Sequence, residues 1–158
     1  MAKAKSFVPE GHRTVTPHLT IGGAAAAIEF YKQAFGAEEI ARMPGPGGKL
    51  MHAEIKIGDS FLMLNDEFPE FQEMGGTLGP KSIGGSSVTI TLYVPDVDAV
   101  MARAEKAGAK VTMPASDQFW GDRYGQLVDP FGHRWAVATH KEELTHEEIK
   151  ERTQKMMG

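Results

Sequence analysis

"VTPHLTIGGAAAAIEFYKQAFGAEEI", beginning at Val15, and "VTITLYVPDVDAVMARAEKAGAKV", beginning at Val88, carry the same features in the same order. An internal repeat constrains a fold more than any single motif, because each copy is one supersecondary unit that must bury its apolar face. Val-Thr falls on Val-Thr, Leu19 on Leu92 and Ile21 on Val94; after a one-residue gap, Gly36-Ala37 falls on Gly108-Ala109. Each copy opens with alternation. Val15, Pro17, Leu19 and Ile21 alternate with Thr16, His18 and Thr20, and Val88, Ile90, Leu92 and Val94 alternate with Ser87, Thr89, Thr91 and Tyr93. A period of two predicts a strand with one face against a core. A helical stripe follows each time: Ala27, Ile28, Tyr31, Ala34 and Phe35 before Gly36, then Val97, Val100, Met101 and Ala104 between a capping Asp96 and Gly108.

Three further strands are predicted in each half. They are Glu38–Met43, Leu50–Ile57 and Ser60–Asn65, then Lys110–Met113, Arg123–Val128 and Arg134–Thr139. The chain therefore reads as one α+β domain over residues 1–158 built from two βαβββ modules. Module one is 14–66, a connecting loop is 67–86, module two is 87–140 and a helical tail is 141–158. The loop is too long to be structureless, so it is expected to pack over something or to be mobile. In the tail, Thr145-His-Glu-Glu148 is a capping box with a Leu144/Ile149 staple, predicting a helix from about His146 to Met156.

Composition excludes several classes of function. The net charge is −4 and the basic residues are scattered, which leaves no nucleic-acid footprint. There is no cysteine, so thiolate catalysis, disulfides and cysteine-based metal sites are excluded. No apolar run reaches the length of a signal peptide or a membrane span, so a soluble, cytoplasmic protein is expected.

"QLVDPFGHRWAVATH", residues 126–140, looks catalytic, but Asp129-Pro130-Phe131-Gly132 has the residues of a type I turn joining two strands. Parity then sends His133 to the face of Trp135 and Val137, and Arg134 to the opposite rim, where its fork can bind a carboxylate. "DQFWGDRYGQ", residues 117–126, allows two readings. Trp120 and Tyr124 clamp a planar ligand while Arg123 meets an anionic group, or Asp122 and Arg123 brace the hairpin while Trp120 plugs a cavity. His52 and Glu54 share one strand face, as two ligands or a base and its orienter would, with His18 able to join them; the bland alternative is a polar lining. His12 and His140 lie near the ends of the fold and are expected to be exposed.

The paired modules resemble the vicinal-oxygen-chelate fold of glyoxalase I, bleomycin- and fosfomycin-resistance proteins and extradiol dioxygenases. "AIEFYKQAFGAEE", "MHAEIKIGDSFLMLND", "FWGDRYGQLVDPFGHRW" and "VATHKEELTHEE" are similar to the PhnB-like branch of that superfamily. The resemblance implies an open β-cup with helices on its convex face and a ligand on its concave face. Strand parity then divides the side chains. Leu19, Ile55, Ile57, Leu62, Leu64, Ile90, Leu92, Trp135 and Val137 belong under the helices. His18, His52, Glu54, Met63, Thr89, Tyr93 and Arg134 belong in the cup, with Trp120, Arg123 and Tyr124 at its hairpin.

Metal-dependent relatives take ligands from the first and last strands of each module. Aligned on strand ends, those positions here read Thr16, Met63, Thr89 and Ala136, a poor set for a divalent ion. The expectation is a small-molecule-binding protein, metal-independent, homodimeric and of a resistance or sequestration type, with no cofactor, nucleic-acid partner or membrane partner. The rival is a lyase or dioxygenase-type enzyme with a divalent metal ion at His18, His52 and Glu54. A third reading is a scaffold whose cup is filled by Phe61, Met63 and Trp120.

Overall fold

The computed structural model describes residues 1–158. It divides into two compact units, Met1–Gly84 and Gly85–Gly158. In the first, β1 (His18–Ile21), α1 (Ala24–Phe35), β2 (Glu38–Pro44), β3 (Leu50–Ile57) and β4 (Ser60–Asp66) form a sheet in the order β1-β4-β3-β2. β1 runs parallel to β4 and the other pairs are antiparallel. In the second, β5 (Thr89–Tyr93), α3 (Val97–Ala107), β6 (Lys110–Asp117), β7 (Asp122–Val128) and β8 (Arg134–His140) repeat that topology in the order β5-β8-β7-β6. The expected α+β class and the two βαβββ modules are present, as two open four-stranded mixed sheets.

The apolar stripe of α1 covers one face of the first sheet. Ala27, Ile28, Tyr31 and Ala34 are fully buried, as are Ile55 and Leu64 beneath them. On the opposite, open face His52, Glu54, Lys56, Phe61, Met63 and Asn65 are half-buried, as period-two parity requires. In the second sheet Trp135, Val137 and Leu127 lie on the α3 side and are almost wholly buried. Ile90 and Leu92, expected under that helix, are only half-buried, unlike Leu19 and Ile21 of the equivalent edge strand β1.

β1 is shorter than the alternation predicts. Val15 is 81% exposed and Pro17 lies outside the strand, although its carbonyl still accepts Met63 N at 2.9 Å. Proline has no N–H to give to the ladder, so pairing starts one residue later. α1 has no side-chain cap of its own; buried Asp66 supplies one from the end of β4, with Oδ1 accepting Gly23 N and Ala24 N, each at 2.9 Å. Its Oδ2 accepts Leu50 N at 2.7 Å. In the second module Asp96 caps α3 by accepting Ala99 N at 3.1 Å, and Gly36 and Gly108 end α1 and α3 in the left-handed conformation, as expected.

The connecting segment packs rather than hangs free. It forms a short 3-10 turn, Pro69–Met74, and α2 (Pro80–Ile83). Glu67 fixes it: Oε2 accepts Gly79 N and Oε1 accepts the Ser82 hydroxyl, each at 2.8 Å. The Thr77 and Thr20 hydroxyls are also hydrogen-bonded to each other. α4 (His146–Met157) begins at the predicted capping box and buries no residue. Arg152 ties it to Glu142, with Nη1 at 3.0 Å and Nη2 at 2.8 Å from the carboxylate, and reaches Phe119 O at 3.4 Å.

Candidate functional site

Each sheet presents one open face. On the first, β1, β4 and β3 bring His18, Met63 and Glu54 into one row, since His18 pairs with Met63 and Met63 with Glu54. His52, two residues before Glu54 on β3, turns its Nε2 toward Glu54 Oε1 at 3.4 Å. Its ring meets His18 edge-on with centroids 5.8 Å apart. The four residues predicted for this face are thus neighbours.

His12 joins them, against the expectation that it is exposed. Its ring stacks on Phe61 with centroids 4.6 Å apart, and its Nε2 lies 3.6 Å from Glu54 Oε2. No strand period could reveal this, because His12 precedes the sheet. The signal available was the turn-forming Pro9-Glu10-Gly11 before it.

The register decides which residues stand beside Met63 and Ala136. His18, not Thr16, is the β1 residue beside Met63, and Thr91, not Thr89, is the β5 residue beside Ala136. Whether the first-strand positions are taken as Thr16 and Thr89 or as His18 and Thr91, the four positions with Met63 and Ala136 hold at most a single imidazole, beside a thioether, hydroxyls and a methyl group. No three imidazole or carboxylate groups of the chain lie close enough to hold one ion. The donor set does not fit a divalent cation of the family's usual kind.

The open face of the second sheet is organised by Asp122, the first residue of β7, which is only 5% exposed. Its Oδ2 accepts the Tyr93 hydroxyl at 3.1 Å and the Trp120 indole N–H at 3.0 Å. Its Oδ1 faces His140 Nδ1 at 2.7 Å. Tyr93 pairs with Ala138 on β8, and Ala138 pairs with Tyr124 on β7, so the Tyr93 phenol crosses over Ala138 to reach the carboxylate. Trp120 sits edge-to-face with Tyr124 at 5.4 Å and with Phe119 at 5.0 Å. The hydrogen bond to Asp122 is the main reason the Tyr93 hydroxyl is harder to ionise than usual, and it is also the largest cause of the raised His140 pKa.

His140 is therefore not merely exposed at a chain end. Its Nε2 also lies 3.3 Å from Glu143 Oε1. The turn carrying Trp120 is clamped because Gly121, at φ 101°, accepts both Lys141 N and Glu142 N on its carbonyl at 2.9 Å. A Cβ there would lie 2.7 Å from Glu142 O.

Of the remaining predicted residues, Arg123 is engaged as a brace by two carboxylates of its own unit. It has the opposite parity to Tyr124, and its fork binds Asp98 of α3 at 2.7 and 2.9 Å and Asp117 at 3.2 Å. These carboxylates hold its pKa well above the usual value. Arg134 is exposed beside Thr89. Asp129, in the stretch that looked catalytic, is structural. Oδ1 accepts Phe131 N at 2.9 Å and His133 N at 3.0 Å, and Oδ2 accepts the Trp135 indole N–H at 2.9 Å. Tyr93 and Trp120 were legible from parity and composition, whereas Asp122 as their shared acceptor was not, because sequence separates them.

Residues 12–137 match the family described as the glyoxalase/bleomycin resistance protein/dioxygenase superfamily. The chain is 49% identical over 136 residues to the uncharacterized protein Mb0911c of Mycobacterium bovis, covering 85% of this chain and 88% of that one. The X-ray structure of the At5g48480 gene product of Arabidopsis thaliana is similar at a TM-score of 0.64 and 28% identity, over 80% of this chain and 98% of that one. TnmS3, an antibiotic binding protein from Streptomyces sp. CB03234, shares the fold at a TM-score of 0.57 and 23% identity, over 82% of this chain and all 100% of its own. Sequence match, repeated βαβββ topology and solved relatives agree: the chain belongs to the glyoxalase/bleomycin resistance protein/dioxygenase superfamily.

Proposed function

We propose that this protein, as a PhnB-like member of its superfamily, binds a planar small molecule on the open face of its second sheet without a metal ion, in a sequestering or resistance-type role. The observation that carries the reading is the single buried carboxylate of Asp122 holding both Tyr93 and Trp120. Tyr93 is 67% exposed, yet its hydroxyl is fixed. Aromatic rings oriented before a ligand arrives lose little freedom on binding, which is what favours a stacking site. Exposed Arg134 adds a cationic fork on the same face for an anionic substituent. That TnmS3 is an antibiotic binding protein of the same fold supports the class of ligand, and the poor donor set at the relatives' metal positions supports metal independence.

The rival reading, a lyase or dioxygenase-type enzyme with a divalent metal ion at His18, His52 and Glu54, has behind it the pairwise contacts of His52 with Glu54 and His18 and against it the lack of a three-group cluster. The two separate by elemental analysis of protein purified without chelators. Stoichiometric zinc, nickel, manganese or iron that is lost in His52→Ala would overturn the metal-independent reading. Its positive test is a thermal-shift screen across aromatic metabolites, antibiotics and thiol adducts, with a bound ligand raising the midpoint. The shift should vanish in Trp120→Ala; a shift that survives would move the site off this face.

A further inference from the structure

The N-terminal turn carries a side chain that neither module's pattern accounts for. His12 N donates to Pro9 O at 3.1 Å, closing a turn in which Gly11 has φ 81°. The turn lays the His12 imidazole flat on Phe61, the two planes 20° apart. A Cβ on Gly11 would lie 2.8 Å from Phe61 Cε2, so glycine is what lets the backbone approach this closely. The His12 side chain is 8% exposed and the Glu54 side chain 19%. His12 Nε2 is buried without a hydrogen-bond partner, its nearest carboxylate oxygen being Glu54 Oε2 at 3.6 Å. Nδ1 has only a 3.4 Å contact with Glu10 O.

Such a ring is well stacked and poorly hydrogen-bonded. An unpaired buried polar nitrogen is unfavourable, and a small shift toward Glu54 would satisfy it, so the tether and not the slot sets its position. The place the ring occupies is defined by side chains of the first sheet. It has the Phe61 face on one side and a carboxylate at one end whose other oxygen faces His52 at 3.4 Å. Lys56 Nζ stands 5.7 Å from the Phe61 ring centroid. The occupant hangs on an arm that has no helix or strand and whose residues 1–7 are exposed.

We propose that the Phe61–Glu54 slot of the first sheet is a binding site for a planar aromatic nitrogen heterocycle bearing a ring N–H, and that His12 is its intramolecular stand-in, displaced when the ligand enters. The proposal rests on the small-molecule-binding reading above and adds a ligand class and a competing occupant. A free heterocycle, unlike His12, can slide until its N–H meets Glu54 at hydrogen-bond distance. Its apparent affinity is reduced by the fraction of molecules in which His12 fills the slot, and removing His12 removes that reduction.

The probe is benzimidazole, titrated calorimetrically into the full-length wild type, His12→Gly and Gly11→Ala. Gly11→Ala keeps the imidazole but strains a turn whose residue 11 sits at φ 81°, loosening the tether. Both variants are expected to bind benzimidazole more tightly than the wild type, His12→Gly by roughly tenfold or more. Adding Glu54→Gln to His12→Gly should weaken binding by about tenfold, as expected when a charge-assisted hydrogen bond becomes a neutral one. Equal or weaker binding in both variants, or no binding to His12→Gly at millimolar benzimidazole, overturns the slot. That failure is distinct from failure of the functional reading, which is decided by Trp120-dependent ligand shifts in the wild type.

Discussion

Asp66, Asp122 and Asp129 are buried carboxylates, and each does the work of several backbone or side-chain caps. Asp66 alone accepts three backbone N–H groups, two of them at the start of α1. Removing it leaves buried donors without partners, so Asp66→Ala is expected to lower stability by about 2–4 kcal/mol, read as a fall in the urea midpoint at constant slope. An unchanged midpoint would mean that α1 finds another cap. His140 gives a prediction with a sign. Its pKa is raised above the ordinary 6.5, chiefly by the hydrogen bond to Asp122, with Glu143 facing its other nitrogen. Folding therefore favours its protonated form. The stabilisation is fully present below the ordinary histidine value and is lost as pH rises through the raised one. Urea midpoints should fall as pH rises from 6.5 upward, and His140→Gln should flatten that slope. A slope that persists in the variant would assign it to another group. At this scale sequence told which strand residues share a face but not which partners they find. His12 is buried against expectation and His140, exposed as expected, gains an unexpected partner, because their contacts, Phe61 with Glu54 and Asp122, come from distant parts of the chain.

Elements were more legible than contacts. α3 and α4 start at the predicted caps because capping is local: the donor and acceptor lie within three residues of each other. For the same reason Thr145→Ala should cost about 1 kcal/mol of α4 stability, seen as faster amide hydrogen exchange confined to 146–157, with the sheets unaffected. Exchange that quickened in β7 and β8 as well would show that α4 supports the second sheet through Arg152. β1 was over-extended because alternation continues through Val15 and Pro17, whereas the ladder that defines the strand needs an N–H that Pro17 lacks. The segment 67–86 was legible only as too long to be structureless. Glu67, which holds Gly79 and Ser82, is an ordinary acidic residue until the chain folds back on it.

For the molecule as a whole, homodimerisation remains a prediction. β1, β2, β5 and β6 are all sheet edges, and exposed edges are commonly covered. Light scattering at micromolar concentration should give twice the 17.2 kDa chain mass; a single species at that mass would remove the claim. No helix is long and apolar enough to cross a membrane. The sequence by itself determined the two βαβββ modules, the inward and outward faces of most strands and the helix ends. All of these depend on periodicity, on caps a few residues long or on which side chains are present. Only the tertiary structure decided that Asp122 gathers Tyr93, Trp120 and His140, that Arg123 braces α3, that His18 rather than Thr16 stands beside Met63, and that His12 lies on Phe61. Each of those depends on strand register or on where a turn sets the chain down, and a shift of one residue in either would send the same side chain to the opposite face.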